Sequence, residues 1–113
     1  LTGTDAALNV FTLAGSDLAG LTSFSLSAPS GSTVLINVTG NPGTFTNYQP
    51  FLSGVTAADV LFNFSTADTL DIRGFGFEGS ILAPDAKLIF LNGQINGTVV
   101  VSRVLNESAG EFH

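Results

Sequence analysis

Asp68-Thr-Leu-Asp-Ile-Arg-Gly-Phe-Gly-Phe-Glu-Gly-Ser-Ile-Leu-Ala-Pro-Asp85 runs directly into Ala86-Lys-Leu-Ile-Phe-Leu-Asn-Gly-Gln-Ile-Asn-Gly-Thr-Val-Val-Val-Ser-Arg103, and the second stretch lies over the first at an offset of 18 residues. Leu70 falls on Leu88, Ile72 on Phe90, Phe77 on Ile95, Gly79 on Gly97, Ser80 on Thr98, Ile81 on Val99, Leu82 on Val100 and Ala83 on Val101. A short repeat of strand-forming residues with glycines in register is the pattern of stacked β-coils. Three short strands and three corners use about that length, so apolar residues stack on apolar residues and Gly79 over Gly97 marks a tight corner. The expected fold is all-β: a right-handed parallel β-solenoid with coils of about 18 residues. An antiparallel β-sandwich is the alternative, although hairpins give no reason for an in-register repeat of this length.

Reading outward, no window holds apolar residues at helical spacing without a Gly, Pro or β-branched interruption. The whole chain reads as strand and turn, with strands expected at 8–13, 23–27, 33–38, 60–64, 69–72, 80–82, 87–91 and 98–104. Pro29-Ser-Gly31, Gly40-Asn-Pro-Gly43 and Asn92-Gly93 supply the turns between them. Val34-Leu-Ile-Asn-Val38 echoes Val60-Leu-Phe-Asn-Phe64 at an offset of 26, and the excess reads as a loop over 41–54. Within that loop, Phe45, Tyr48, Pro50 and Phe51 carry enough apolar area to pack on the stack, and Tyr48 and Phe51 are candidate surface contacts. The 18-residue register also sets Asp85 on Arg103, an expected surface ion pair.

The 113 residues make one domain, 1–113, long enough to bury a core without a staple, and there is no Cys to provide one. Hydrophobic residues make up 44% but charged residues only 11%, against the usual ~25%, so Ser, Thr, Asn and Gly must cover the surface. Three basic against nine acidic side chains leave a formal charge of −6, which repels polyanions and argues against a nucleic-acid partner. This uncharged-polar, Gly-rich, Cys-free composition is the usual look of secreted and surface proteins. No apolar run is long enough for a transmembrane segment, and residues 1–20 lack a signal-peptide pattern, so the chain reads as a mature fragment. Asn37-Val-Thr, Asn63-Phe-Ser, Asn96-Gly-Thr and Asn106-Glu-Ser are candidate N-glycosylation sites; chains rich in Asn, Ser and Thr also generate such triplets by chance.

Catalytic chemistry is hard to staff. The single His is the last residue, His113, and there is no Cys nucleophile. Asp68 and Asp71 are close enough to be tested as a glycosidase pair, but they read as solvated strand-edge acids, and their spacing fits no calcium loop. Gly74-Phe-Gly-Phe-Glu-Gly79 imitates a phosphate-binding glycine motif, yet no helix follows it, so it reads as a coil corner. No catalytic residue, cofactor or metal is expected. Ice binding would ask for a flat face of regularly spaced Thr or Ser, whereas Thr69, Asp71, Arg73 and Lys87, Ile89, Leu91 are irregular and partly charged.

The blocks Val10-Phe11, Pro29-Ser-Gly-Ser-Thr-Val-Leu-Ile-Asn-Val-Thr-Gly40, Val60-Leu-Phe-Asn-Phe64, Phe77-Glu-Gly-Ser-Ile-Leu-Ala-Pro-Asp-Ala86, Ile95-Asn-Gly97 and Gly110-Glu-Phe-His113 together resemble the choice-of-anchor A domain. That family is an adhesive module of bacterial and some eukaryotic surface proteins. The Gly-rich first coils of such domains have no counterpart here, so the chain resembles the C-terminal portion of the module. The later blocks are also similar to the β-solenoid of ice-binding proteins. The resemblance implies a non-catalytic extracellular or cell-surface module for adhesion or for building a fibre or matrix, with ice or glycan binding as the alternative. Its expected partners are a protein or a second copy meeting the solenoid ends, or a glycan or surface ligand.

Overall fold

The computed structural model describes residues 1–19, 23–41, 44–46, 49–73, 76–91, 94–106 and 111–112. The described chain is all-β apart from one turn of helix, α1 (Gly15–Ala19), and a short 3-10 turn at Ala57–Asp59. The strands are β1 (Leu8–Ala14), β2 (Ser23–Ser27), β3 (Thr33–Thr39), β4 (Thr44–Thr46), β5 (Gln49–Ser53) and β6 (Val60–Asn63). After them come β7 (Thr69–Arg73), β8 (Gly76–Glu78), β9 (Ser80–Leu91), β10 (Gln94–Asn96), β11 (Val99–Asn106) and β12 (Glu111–Phe112).

Every strand pairing among the described residues is parallel. This overturns the antiparallel sandwich: parallel neighbours cannot be joined by a tight hairpin, and the chain must travel through other strands before it returns beside itself. The largest sheet has the order β1-β3-β6-β9-β7-β4, with β11 also on β9; β8, β10 and β12 form a second sheet, and β2 and β5 a third. The 18-residue repeat is visible in three separate ladders, as Leu70 pairs with Leu88, Phe77 with Ile95 and Ile81 with Val99. The looser echo is a ladder too, with Val34 on Val60 and Asn37 on Asn63.

β9 is the hinge of the arrangement. Its leading residues pair with β6 and its trailing residues with β7, so one strand joins two halves of the large sheet. Between them the register against β11 shifts: Val101 faces Ala83, but Arg103 faces Lys87. Pro84, Asp85 and Ala86 therefore stand against Ser102 alone, a bulge of the kind that accommodates a proline lacking an N–H to donate. Ala86 turns into the core while Pro84 and Asp85 stay outside. The expected Asp85–Arg103 partnership is corrected by this bulge, and Arg103 lies beside a like charge instead.

Three further differences concern length and period. The expected loop over 41–54 contains β4, which pairs with β7, and β5, which pairs with β2. The expected corner over 74–79 contains β8, and the turn itself is made at Gly79. The unexpected α1 is too short for a periodic signal, yet it places Leu18 in the core.

Gly79 and Gly97 make the stacked corner with φ of 145° and 151°, values that L side chains rarely adopt. A Cβ on Gly97 would collide with the carbonyl of Gly79, 18 residues earlier in the chain. Alternation along each strand sends one set of side chains inward. Ile36, Phe62 and Ile81 form one inward rank, and Leu70 with Leu88 and Ile72 with Phe90 form others, all nearly or wholly buried. Phe62 is the shared contact: its ring centroid lies 4.8 Å from that of Phe77 and 5.9 Å from that of Phe24, so it ties the large sheet to both smaller ones.

Candidate functional site

Because the core takes alternate side chains, each sheet presents the remaining side chains outward in ranks that cross the strands. On the first half of the large sheet, one rank runs Val10, Leu35, Leu61, Ser80 and the next runs Thr12, Asn37, Asn63, Leu82, Val100. Leu8 beside Thr33 and Ala14 beside Thr39 flank them. Val10 and Val100, on the outer strands, are 54% and 48% exposed, while the side chains between them are half-buried by their lateral neighbours. None of these positions is charged.

The second half differs in character. Thr69, Lys87 and Arg103 form one rank, Asp71, Ile89 and Leu105 another, and Arg73 follows on β7. All three basic residues of the chain are thus on this half. Arg73 holds Asp71 in a two-point ion pair, with Nε at 2.6 Å from Oδ1 and Nη2 at 2.8 Å from Oδ2. That geometry occupies the carboxylate tested as half of an acid pair. Asp68 lies on the turn before β7, where its backbone N–H donates to Asn41 Oδ1 at 2.7 Å.

The two smaller sheets offer Ser25 beside Phe51, Ser27 beside Ser53, and Glu78 beside Asn96. Phe51 is 57% exposed; Tyr48 and His113 lie outside the described residues. Of the four sequon asparagines, Asn63 donates Nδ2 to Asn37 Oδ1 at 3.0 Å, and Asn96 donates Nδ2 to Glu78 Oε1 at 2.7 Å. Asn106 pairs through its backbone with Phe90 at the end of β11. Three of the four side-chain amides, those of Asn37, Asn63 and Asn96, are therefore engaged between paired strands.

At the start of the chain, Asp5 and the buried Asn9 brace the loop before β1. Asn9 Oδ1 accepts from the Asp5 N–H and its Nδ2 donates to the Asp5 carbonyl, each at 2.9 Å. The Asp5 carboxylate accepts from the N–H groups of Ala7 and Leu8, which hold its pKa below the ordinary value of 3.8. Among the described residues no group of three or more His, Asp or Glu side chains gathers as a metal-ligand cluster, and no helix is long and apolar enough to cross a membrane.

Parallel ladders that display long outward ranks make this a repetitive, surface-presenting β-module. The chain matches, over residues 1–113, the family described as "Putative Ice-binding-like adhesive domain", and it belongs to that family. No curated protein and no solved structure matches it. The charge-free outer ranks were not among the residues singled out from the sequence. Their signal was present in the 26-residue echo, which had to be carried through to Ser80 and Val100 before the face became visible.

Proposed function

We propose that the chain is a non-catalytic adhesion module, built as a right-handed parallel β-solenoid and working outside the cell or on its surface. The observation that carries this reading is the match to an adhesive family over the whole chain. The 18-residue ladders, which fall in two of the three sheets, support the solenoid, since a chain that returns beside itself in parallel at a fixed interval climbs one layer per turn. The bidentate hold of Arg73 on Asp71 supports a scaffold over a glycan-active enzyme. Closer kinship with the choice-of-anchor A domain rests on the Gly-Ser-Ile-Leu-Ala-Pro and Ile-Asn-Gly blocks.

Assembly into a fibre or matrix is part of the proposal. Among the described residues β1 pairs only with β3, β11 only with β9, and β12 only with β10, so each presents a backbone edge that another strand could extend. Binding of ice or glycan along an outward ladder is the second reading, favoured by the family's ice-binding-like character.

The test is retention of non-adhesive bacteria displaying this chain. Under flow they are expected to hold to glass, protein-coated and polysaccharide-coated surfaces better than cells carrying an empty display scaffold. Equal wash-off from every surface would refute adhesion, and thermal hysteresis in solution would favour the ice reading.

A further inference from the structure

We propose that the outer face formed by β1, β3, β6 and the leading parts of β9 and β11 docks on the flat surface of an insoluble, uncharged polysaccharide; this rests on the adhesive reading above. The chain has twelve charged side chains, three basic and nine acidic, and none lies at an outward position of this face. The other half of the same sheet carries Lys87, Arg103 and the Asp71–Arg73 pair. A charge buried against a neutral solid would lose its hydration without gaining a partner, so a charge-free face is complementary to an uncharged surface.

The chemistry of the ranks narrows the ligand further. Val10, Leu35, Leu61, Leu82 and Val100 offer aliphatic area, which suits the C–H faces of sugar rings. Thr12, Asn37 and Asn63 lie among them. Since Asn63 Nδ2 donates to Asn37 Oδ1, the pair turns an amide donor of Asn37 and the amide oxygen of Asn63 to other partners. Sugar hydroxyls both donate and accept, and can satisfy both.

Two other occupants fit less well. With strands ~4.8 Å apart and ~3.3 Å per residue, the face covers on the order of 400 Å². That is about half of what each partner buries in a stable protein interface, which disfavours a second copy. An ice lattice asks for one residue type repeated from strand to strand, and these ranks mix Val, Leu and Ser or Thr, Asn, Leu and Val. A modest patch on a cell-borne module still suffices for a polymer, because many copies engage one repetitive surface together.

The test mixes the full chain with microcrystalline cellulose and with crystalline chitin and measures depletion from solution. Depletion is expected on at least one of them, changing less than about twofold between low and high salt because no ion pair contributes. The Val10→Lys/Val100→Lys double variant, altered at two half-exposed positions that tolerate lysine in the free protein, is expected to partition about tenfold more weakly. Leu35→Lys should do the same, whereas Arg103→Glu on the other half should bind as the unaltered chain does. No depletion on either solid, or equal depletion by the double variant, would overturn the proposal. So would capture by ice alone, or a dimer in light scattering that the double variant dissolves while neither solid is bound. Displaying cells retained on glass or protein but not on polysaccharide would sink this inference and leave the adhesive reading standing; cells retained nowhere would sink both.

Discussion

Asn63 donates its side-chain amide to Asn37 Oδ1 across 3.0 Å, and the two residues are also direct partners in the β3–β6 ladder, 26 positions apart in sequence. Stacking of like on like, in side chain as well as backbone, is how this molecule is held together. Replacing Asn63 by Ala strands a half-buried amide on Asn37 and is expected to cost about 1 kcal/mol in urea unfolding. Replacing both asparagines by Leu removes the polar groups together and should cost less than the sum of the single changes. Additive losses in that double-mutant cycle would mean the hydrogen bond contributes nothing specific.

Phe62 contacts rings in two other sheets, with Phe77 at 4.8 Å and Phe24 at 5.9 Å between centroids. Truncating it to Ala opens a cavity where the three sheets meet. A loss of about 3–5 kcal/mol is expected by denaturant titration. A loss under about 1 kcal/mol would show that the sheets hold together without this shared ring.

Two glycines with positive φ should respond differently to alanine. At Gly97, φ is 151° and a methyl group would strike the Gly79 carbonyl, so Gly97→Ala combines backbone strain with a clash in the stacked corner. At Gly31, φ is 84° and a methyl group meets nothing within 4 Å. The first change should cost at least about 2 kcal/mol and the second about 1 kcal/mol. Thermal unfolding of the two variants side by side checks the order.

Lys87 and Arg103 are neighbours across β9 and β11 because of the bulge at Pro84–Ala86. Like charges placed opposite one another destabilise a sheet modestly. Arg103→Glu should therefore raise stability by about 0.5 kcal/mol at low salt, and the gain should disappear near 1 M salt. A gain that survives high salt would have to come from something other than charge.

The Asp5 carboxylate is held below its ordinary pKa of 3.8 by the N–H groups of Ala7 and Leu8. A folded pKa lower than the unfolded one means that this contribution is present above 3.8 and is lost as pH falls through the folded value. Replacing Asp5 by Asn should flatten the pH dependence of stability below about pH 4, measured as melting midpoint against pH. An unchanged acid slope would show that the turn is not proton-linked.

Much of the stacking was legible in the chain. Residues one above another share the same surroundings, so Leu70 and Leu88, or Phe77 and Ile95, came to be of like type, and the period survived as an alignable repeat. Six of the eight expected strands correspond to separate strands of the structure, and the remaining two, 80–82 and 87–91, are the ends of one long β9. The bulge was hidden because a register shift of this kind depends on how Pro84 is accommodated against β11, and no local pattern records it. β4 and β5 were hidden because short strands spaced 26 or 27 residues from their partners leave no tight period.

Composition and the in-register repeat by themselves established an all-β chain with a surface poor in charge, because strand alternation and the pairing of like residues across strands are written in residue type. How the twelve charges were sorted was decided only by the tertiary structure. Where the register of β9 shifts, and which strands pair with it on either side of that shift, places every Lys and Arg on one half of the large sheet and leaves the outward ranks of the other half neutral. Residues far apart in sequence share a face only once the ladders have set their register, and a face, unlike a motif, exists only in three dimensions.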